Sequence, residues 1–379
     1  MLSRATGFLF AFRLCLTFLW FQSEPARGSA AAILCSLALL LASLSYRLLT
    51  SPHSLVRQNY PTTVKWIGLY LLLALCSLLW TTVPSVAVAG AYWFGMTSDV
   101  GTVLILLQCQ HMKAGLSIMQ GFVVGAVVVA KTAWSVSPTM DLRLGNEDFL
   151  HPNAVGFELA IAALMAIYLG RVHKGWSWIA AGLATTLLRT LSKASIAAFI
   201  VASLFYFFRT SDLSRKAKLV LGLGCAAVVG FFWTVLEAYA DMYAQGRNLE
   251  TLTGRTLIWA TSLEIALEKP WLGHGFYSFR WVVPLFGDFE AWQAHNELLQ
   301  QFFAYGILGV GIVLTLYWHF YRQIRFTYDC QLASLSLALL IFALVRGLVD
   351  AERFGLCLPL WLIALLSLSM SHIATSNLS

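Results

Sequence analysis

The stretch AHNELLQQFFAYGILG, residues 294–309, sets a histidine and an asparagine directly before an apolar segment that contains glycines. A second mixed stretch, LTGRTLIWATSLEIALEKPWLGHGFYSF, occupies residues 252–279 just upstream. The remainder of the chain is strongly apolar, since 59% of its 379 residues are hydrophobic and only 11% are charged. The sequence therefore predicts a polar, functional patch at the start of a membrane helix.

Long apolar runs recur along the whole chain and predict an all-α, polytopic membrane protein. About 20 such residues cross roughly 30 Å of hydrocarbon, and the chain offers about twelve such runs. The predicted spans are 7–22, 30–49, 64–83, 85–107, 114–136, 154–170, 175–191, 193–208, 217–236, 297–320, 331–349 and 355–372. The two short spans in the middle are expected to form a tight pair joined at TLSKAS.

The predicted spans divide one integrated membrane domain into three parts. Spans one to nine lie within 1–236, a long loop covers 237–296, and spans ten to twelve lie within 297–379. Within the loop, residues 254–268 have helical spacing and predict an amphipathic helix along the membrane surface. Pro270 and the glycines that follow it are expected to end this helix.

The net charge of +7 is explained by topology rather than by nucleic-acid binding, because cytoplasmic loops of membrane proteins are basic. With the N-terminus inside, short inner segments contain thirteen of the 25 lysines and arginines. The long loop then faces outside, which is the periplasm for a bacterial inner membrane. The seven cysteines contain no C-x-x-C pair, so the sequence predicts neither a disulfide framework nor a metal site.

Seven basic residues are predicted in or near the outer half. They are Lys131, Arg189, Lys193, Arg255, Arg280, Arg346 and Arg353. An ionisable group at membrane depth costs at least about 2.5–3.5 kcal/mol, so such a set favours an anionic ligand such as phosphate or pyrophosphate. The structural alternative is that Arg346 pairs with Asp350 or Glu352, or that the long side chains reach the headgroups.

His295 is the candidate general base, because an unperturbed imidazole accepts a proton near neutral pH. Glu297 is a weaker candidate for the same role, and Asn296 is predicted to cap the helix that follows. Gly306 and Gly309 lie about one turn apart and are expected to let a neighbouring helix pack closely.

These residues resemble the O-antigen ligase and polymerase superfamily of bacterial membrane glycan transferases. His295, Asn296, nine residues, Gly306, two residues and Gly309 match the ligase pattern in full. An upstream G-R-x-x-x-W … P-x-x-G-x-G-x-x-x-F element is similar through Gly254, Arg255, Trp259, Pro270, Gly273, Gly275 and Phe279. LLWTTVPS resembles a W-S-x-x-P element with Thr81 for serine, and HPNAVGFELA resembles N-P-N-x-x-G with His151 in first place. Lys193 stands where the family has the arginine of a Ser-Arg turn.

The resemblance implies a GT-C-like bundle that moves a glycan from undecaprenyl pyrophosphate to an acceptor hydroxyl, on the periplasmic face and without metal or cofactor. His295, Arg255 and Glu297 are the expected catalytic residues. Pyrophosphate and glycan would be bound by Lys193, Arg189, Arg280, Arg346, Arg353, Asn296 and Trp259. Expected partners are the lipid-linked glycan, an acceptor glycan, the bilayer and other polysaccharide-assembly and chain-length proteins, but no nucleic acid.

The acceptor distinguishes two activities: a polymerase extends a second lipid-linked repeat, and a ligase uses the lipid A core. Glu352 and Trp361 are similar to the exopolysaccharide polymerases, although the asparagine that accompanies them there is absent. The sequence favours the polymerase, with the ligase as the alternative. A transporter of lipid-linked glycans would need a charged path through the membrane, and a structural subunit would not need His295 or Arg255.

Overall fold

The computed structural model describes residues 1–50, 60–136, 142–146, 148–210, 252–287 and 289–376, with isolated positions between 214 and 230. These residues form helices and loops, and no strand occurs among them. The helices are α1 Leu2–Phe12, α2 Leu16–Trp20, α3 Pro25–Thr50, α4 Thr62–Ser77, α5 Val86–Trp134, α6 Pro152–Leu169, α7 Gly175–Arg189, α8 Lys193–Arg209, α9 Leu252–Glu268, α10 Phe279–Val282, α11 Glu297–Arg325, α12 Cys330–Gly347 and α13 Leu360–Ser376.

The predicted all-helical membrane class is confirmed, but the count of twelve spans is not. Within the described residues, seven helical segments are long and apolar enough to cross a membrane. Two further apolar helices, Thr62–Ser77 and Leu360–Ser371, are shorter. Each of the other eleven predicted spans contains helix, whereas most of 217–236 lies outside the described residues. A helix is present at the predicted position 254–268, as α9.

The 49-residue helix α5 contains two of the predicted spans, and they run side by side. Arg13 forms an ion pair with Asp99 at 2.8 Å, whereas a Cβ on Gly125 would lie 2.8 Å from the Cβ of Ala11. In a straight helix Asp99 and Gly125 would be about 39 Å apart, yet their partners are almost adjacent in the chain. The chain therefore reverses between the segments Val86–Gln110 and Lys113–Trp134.

The predicted tight pair of 175–191 and 193–208 is wrong in its packing. A short turn with Leu191 at φ 51° does join α7 to α8. However, α7 packs mainly against α6, and α8 packs mainly against α12. The two helices separate because each buries its apolar face on a different, longer neighbour.

Helix α11, predicted as one continuous span, is broken at Gly306, whose backbone is non-helical at φ 64° and ψ −159°. Glu297 Oε1 accepts a hydrogen bond from the hydroxyl of Tyr317 at 2.9 Å, although twenty residues separate them. A straight helix would place these residues about 30 Å apart. The short segment 297–305 is therefore folded back towards the longer segment 307–325.

The break leaves backbone groups without helical partners, and the loop after α9 supplies them. His274 N–H donates to Phe303 O, and Gly275 N–H donates to Ala304 O, both at 2.9 Å. Ile307 N–H donates to Pro270 O at 2.8 Å. An unpaired peptide group in an apolar bundle is costly, so these three bonds make the broken helix tolerable.

Gly306 and Gly273 are glycines because each has positive φ and lies against backbone. A Cβ on Gly306 would be 2.4 Å from Trp271 O, and one on Gly273 would be 2.5 Å from Tyr305 N. The expectation that Gly306 and Gly309 pack against a neighbouring helix is therefore wrong at Gly306. Its neighbour is the loop Pro270–Gly275, because the helix must open there to exchange hydrogen bonds with it.

The early WTTVP element holds the same loop from the other side. Thr81 Oγ1 donates to Phe276 O at 2.7 Å, and Trp80 Nε1 donates to Leu272 O at 3.2 Å. Ser77 Oγ accepts from Phe276 N–H at 3.0 Å. The loop after α9 is thus hydrogen-bonded both to the break in α11 and to the end of α4. The end of α4 precedes this loop by almost 200 residues in the chain.

We expect Gly273→Ala to destabilise the protein by more than about 1–2 kcal/mol, because alanine at positive φ is strained and its Cβ meets Tyr305 N. Gly311→Ala is the matched control, since Gly311 lies in α11 with no atom near the place of a Cβ. Thermal unfolding in detergent measures both. Equal melting temperatures for the two variants would contradict the loop's role in supporting the break.

Candidate functional site

Asp350, in the loop after α12, is the centre of the polar cluster beside the start of α11. Its Oδ1 accepts hydrogen bonds from Gln293 Nε2 at 3.0 Å and from Ala351 N–H at 3.1 Å, and it lies 3.2 Å from His295 Nδ1. Its Oδ2 accepts from Arg346 Nη2 at 3.0 Å. Burial raises the pKa of Asp350, but Arg346 and the bond with His295 outweigh this and hold the pKa well below its usual value. Asp350 is therefore a carboxylate in the working pH range.

His295 is oriented by this carboxylate. An ionised Asp350 can only accept, so the ring proton of neutral His295 lies on Nδ1, and Nε2 carries the lone pair. The side chain is 18% exposed, and its backbone has a positive φ of 49°. Positive φ is uncommon for residues other than glycine, although histidine adopts it more often than most. Nε2 is thus available to accept a proton.

Arg346 lies behind Asp350 and outside the cavity wall. Its side chain is 2% exposed, and it pairs with Asp350 at 3.0 Å and with Glu352 at 2.8 Å. Its guanidinium also lies 4.3 Å from the ring centre of Phe157. Arg346 thus forms the ion pairs that the structural alternative predicted. It supports the site by holding Asp350, and its own side chain does not face a ligand.

Glu297 and Asn296 hold the start of α11. Glu297 is 4% exposed, and its Oε1 accepts from Tyr317 and from Cys357 N–H at 2.7 Å. These bonds favour an anchoring role over the predicted catalytic one. Asn296 caps the helix as predicted, with Oδ1 accepting from Leu299 N–H at 2.9 Å. Its Nδ2 donates to Leu348 O at 3.0 Å.

Arg255 reaches the same turn from α9. Its Nη1 donates to Val349 O at 2.6 Å, next to Asp350. Together with Asn296 it holds the backbone that presents Asp350, which is a positioning contact. The indole Nε1 of Trp259, one turn further along α9, is buried and makes no hydrogen bond to the described residues.

A cavity of about 790 Å³ opens beside this cluster. Its polar end includes Arg280, Trp292, Glu352 and Arg353. Trp292 is clamped between two cations, because the guanidinium carbons of Arg280 and Arg353 each lie 4.0 Å from its ring centre. Arg280 is balanced by a two-bond ion pair with Glu290, at 3.1 and 2.8 Å. The rest of the wall is largely apolar and comes mainly from α3, the first half of α5 and the start of α13, but it also contains the Arg13–Asp99 ion pair.

The predicted cations at the α7–α8 turn form a second group. Arg189 Nη1 donates to Leu142 O at 2.5 Å, and Lys193 is the exposed first residue of α8. Neither lines the cavity. Lys131 is likewise near the end of α5 rather than in the cavity wall. The structure therefore places only Arg280 and Arg353, of the predicted cations, in the cavity wall.

Sequence reasoning missed four residues of this face as site members: Asp350, Gln293, Trp292 and Arg143. Asp350 was considered only as a partner of Arg346, four residues earlier. Arg143 Nη2 donates to Asn153 Oδ1 at 2.6 Å, and its Nε donates to Thr190 O at 3.3 Å. No local motif marks these residues, because they come from three separate segments of the chain.

The motif residues and the cluster they form can be compared with known proteins. The O-antigen ligase family model matches residues 178–314. This range contains α9, the glycine loop, His295 and the break in α11. The match confirms the resemblance to the O-antigen ligase and polymerase superfamily, and it supports a function of that general type in a multi-pass membrane protein. No curated protein matches the chain.

We expect Arg346→Gln to destabilise the protein by about 3–5 kcal/mol, because it leaves Asp350 buried without its cation. Arg280→Gln is the matched control, since the Arg280–Glu290 pair is partly exposed and is expected to contribute about 1 kcal/mol or less. Melting temperatures of the two purified variants measure the difference. Similar losses for both would show that Asp350 does not depend on Arg346.

Proposed function

We propose that this protein is a bacterial inner-membrane glycosyltransferase that polymerises undecaprenyl-pyrophosphate-linked oligosaccharide repeats on the periplasmic face, without a metal. The product would be an exopolysaccharide or an O-antigen. The observation that supports this most is the His295–Asp350 pair beside a cavity whose polar end contains Arg280 and Arg353. The family match supports the same class of reaction.

His295 is suited to activate the acceptor. Its Nε2 accepts the proton of the attacking sugar hydroxyl, while Asp350 holds the ring and stabilises the imidazolium that forms. The new bond forms between the hydroxyl oxygen and the anomeric carbon of the donor. The bond from that carbon to the phosphate oxygen breaks, and the lipid pyrophosphate leaves with the electron pair.

The leaving group develops negative charge, and the cavity offers cations to meet it. Arg353 and Arg280 present guanidinium groups, whose planar fork matches phosphate oxygens. Stacking on Trp292 fixes both groups in place before a ligand arrives, which reduces the reorganisation needed during the reaction. The largely apolar wall along α3, α5 and α13 suits a polyprenyl chain, and the pyrophosphate would then lie at the polar end of the cavity.

The polymerase is favoured over the ligase because Glu352 and Trp361, the two residues similar to the polymerases, both line this cavity. The ligase, which transfers the lipid-linked glycan to the lipid A core, is the second candidate. The full ligase pattern from His295 to Gly309 and the description of the matching family support it.

We expect His295→Ala to lower the rate of glycan transfer by about 10²–10⁴, the usual contribution of a general base. Asp350 keeps its hydrogen bonds from Arg346, Gln293 and Ala351 N–H in this variant, so we expect a folded protein, and its melting temperature is measured first. His319→Ala is the matched control. His319 lies in the long part of α11, where it stacks on Trp66 of α4, away from the cluster. Transfer by His295→Ala at the rate of the His319→Ala protein would exclude the proposed base.

One assay tests the activity and separates the acceptors. Purified protein is given an undecaprenyl-pyrophosphate oligosaccharide in EDTA, with and without a lipid A-core acceptor. We expect a ladder of longer lipid-linked glycans in both conditions, which identifies a polymerase. Product only with the lipid A core identifies a ligase, and no transfer in either favours a transporter or a structural subunit.

A further inference from the structure

A second histidine, His151, lies on the same face as His295. His151 directly precedes α6. It takes the first position of the N-P-N-x-x-G element, where the family has asparagine. It is accessible, and it lies within electrostatic reach of His295, Asp350, Arg353 and Arg143. It is therefore close to Arg353 of the cavity wall and to Arg143, which donates to the side chain of the same Asn153 whose backbone N–H bonds His151.

The hydrogen bonds of the two histidines assign them opposite tautomers. The backbone N–H of Asn153 donates to His151 Nδ1 at 3.2 Å, so Nδ1 carries the lone pair and the proton of the neutral ring lies on Nε2. His295 has the reverse arrangement, because its Nδ1 donates to Asp350. His295 thus offers an acceptor at Nε2, whereas His151 offers a donor there. The described residues make no hydrogen bond to Nε2 of His151.

The surroundings of His151 keep it neutral. Desolvation by the neighbouring protein, followed by the charges of Arg143 and Arg353, lowers the pKa of His151 to about 4. The charge of Asp350 raises the pKa of His151, and the charge of His295 lowers it further. Protonation would also require Nδ1 to give up the bond from Asn153. Near pH 7 the ring is therefore a fixed donor and takes no part as a base.

We propose that His151 contacts the substrate, donating its Nε2–H to a phosphate oxygen of the lipid-pyrophosphate donor beside the guanidinium groups of Arg143 and Arg353. This rests on the proposed function and adds a residue to it. A neutral donor stabilises a developing phosphate anion without adding a third positive charge that would repel the two guanidinium groups. The two histidines then divide the chemistry: one takes the acceptor's proton, and the other binds the leaving group.

The test compares variants that keep the cap of α6 but differ at the donor. His151→Ser retains an oxygen that accepts from Asn153 N–H, but its side chain is too short to reach the position of Nε2. His151→Asn keeps an oxygen that accepts from Asn153 N–H, and its amide N–H partly replaces the Nε2–H donor. His173→Ser is the control, because His173 is exposed in the loop after the other end of α6. The readout is the inhibition constant of inorganic pyrophosphate in the transfer assay.

We expect His151→Ser to raise this inhibition constant about tenfold, with His151→Asn intermediate and His173→Ser unchanged. An inhibition constant does not depend on the fraction of protein that is folded, so a merely structural role of His151 would leave it unchanged. A wild-type inhibition constant in His151→Ser overturns the proposal. Failure of the wild-type protein to transfer glycan overturns the proposed function instead, so the two failures are distinguishable.

Discussion

The break in α11 is the constraint on which the rest of the site depends. An apolar bundle tolerates interrupted helical backbone only where other protein groups satisfy it. The loop Pro270–Gly275 does so with three backbone hydrogen bonds, and its glycines let it approach closely enough. Because the segment 297–305 can then fold back, Glu297 reaches Tyr317 and Cys357, and His295 is held at its position beside Asp350. The motif glycines and the motif histidine are thus parts of one mechanical unit.

The second constraint is electrostatic. Asp350 is 1% exposed and has its charge balanced by a buried arginine, while three further donors complete its hydrogen bonds. Such a carboxylate stays ionised and fixes the tautomer of the imidazole it contacts. Arg255 and Asn296 bind the backbone just before it, so residues from α9 and α11 also determine where this charge lies. The positions of His295 and Asp350 are therefore set partly by residues that do not line the cavity.

The wall of the cavity combines the two features that the proposed lipid-linked substrate requires. The guanidinium groups of Arg280 and Arg353 stack on Trp292 at one end, and mostly apolar side chains, with the Arg13–Asp99 ion pair among them, line the remainder. Arg346 and Glu297, by contrast, already bind buried partners within the protein. A charge near the membrane's outer half is therefore no sufficient sign of a ligand contact, because an anchoring pair produces the same composition.

Local pattern accounted for what depends on local physics. Apolar runs predicted the helical membrane class, the spacing of residues 254–268 predicted α9, and Asn296 was correctly predicted as a cap. These features follow from burial and from hydrogen bonds within a few residues, which any single segment displays. The break at Gly306 was missed because its cause, the exchange of bonds with Pro270, His274 and Gly275, lies some thirty residues away.

The sequence by itself thus determined the class of the protein, the motif residues and the family they resemble. Only the tertiary structure decided which cations face the cavity, that Asp350 orients His295, and that His151 offers a donor where His295 offers an acceptor. The reason is physical. The charge state, tautomer and accessibility of a side chain are set by partners from other segments, and a linear pattern does not record which segments meet.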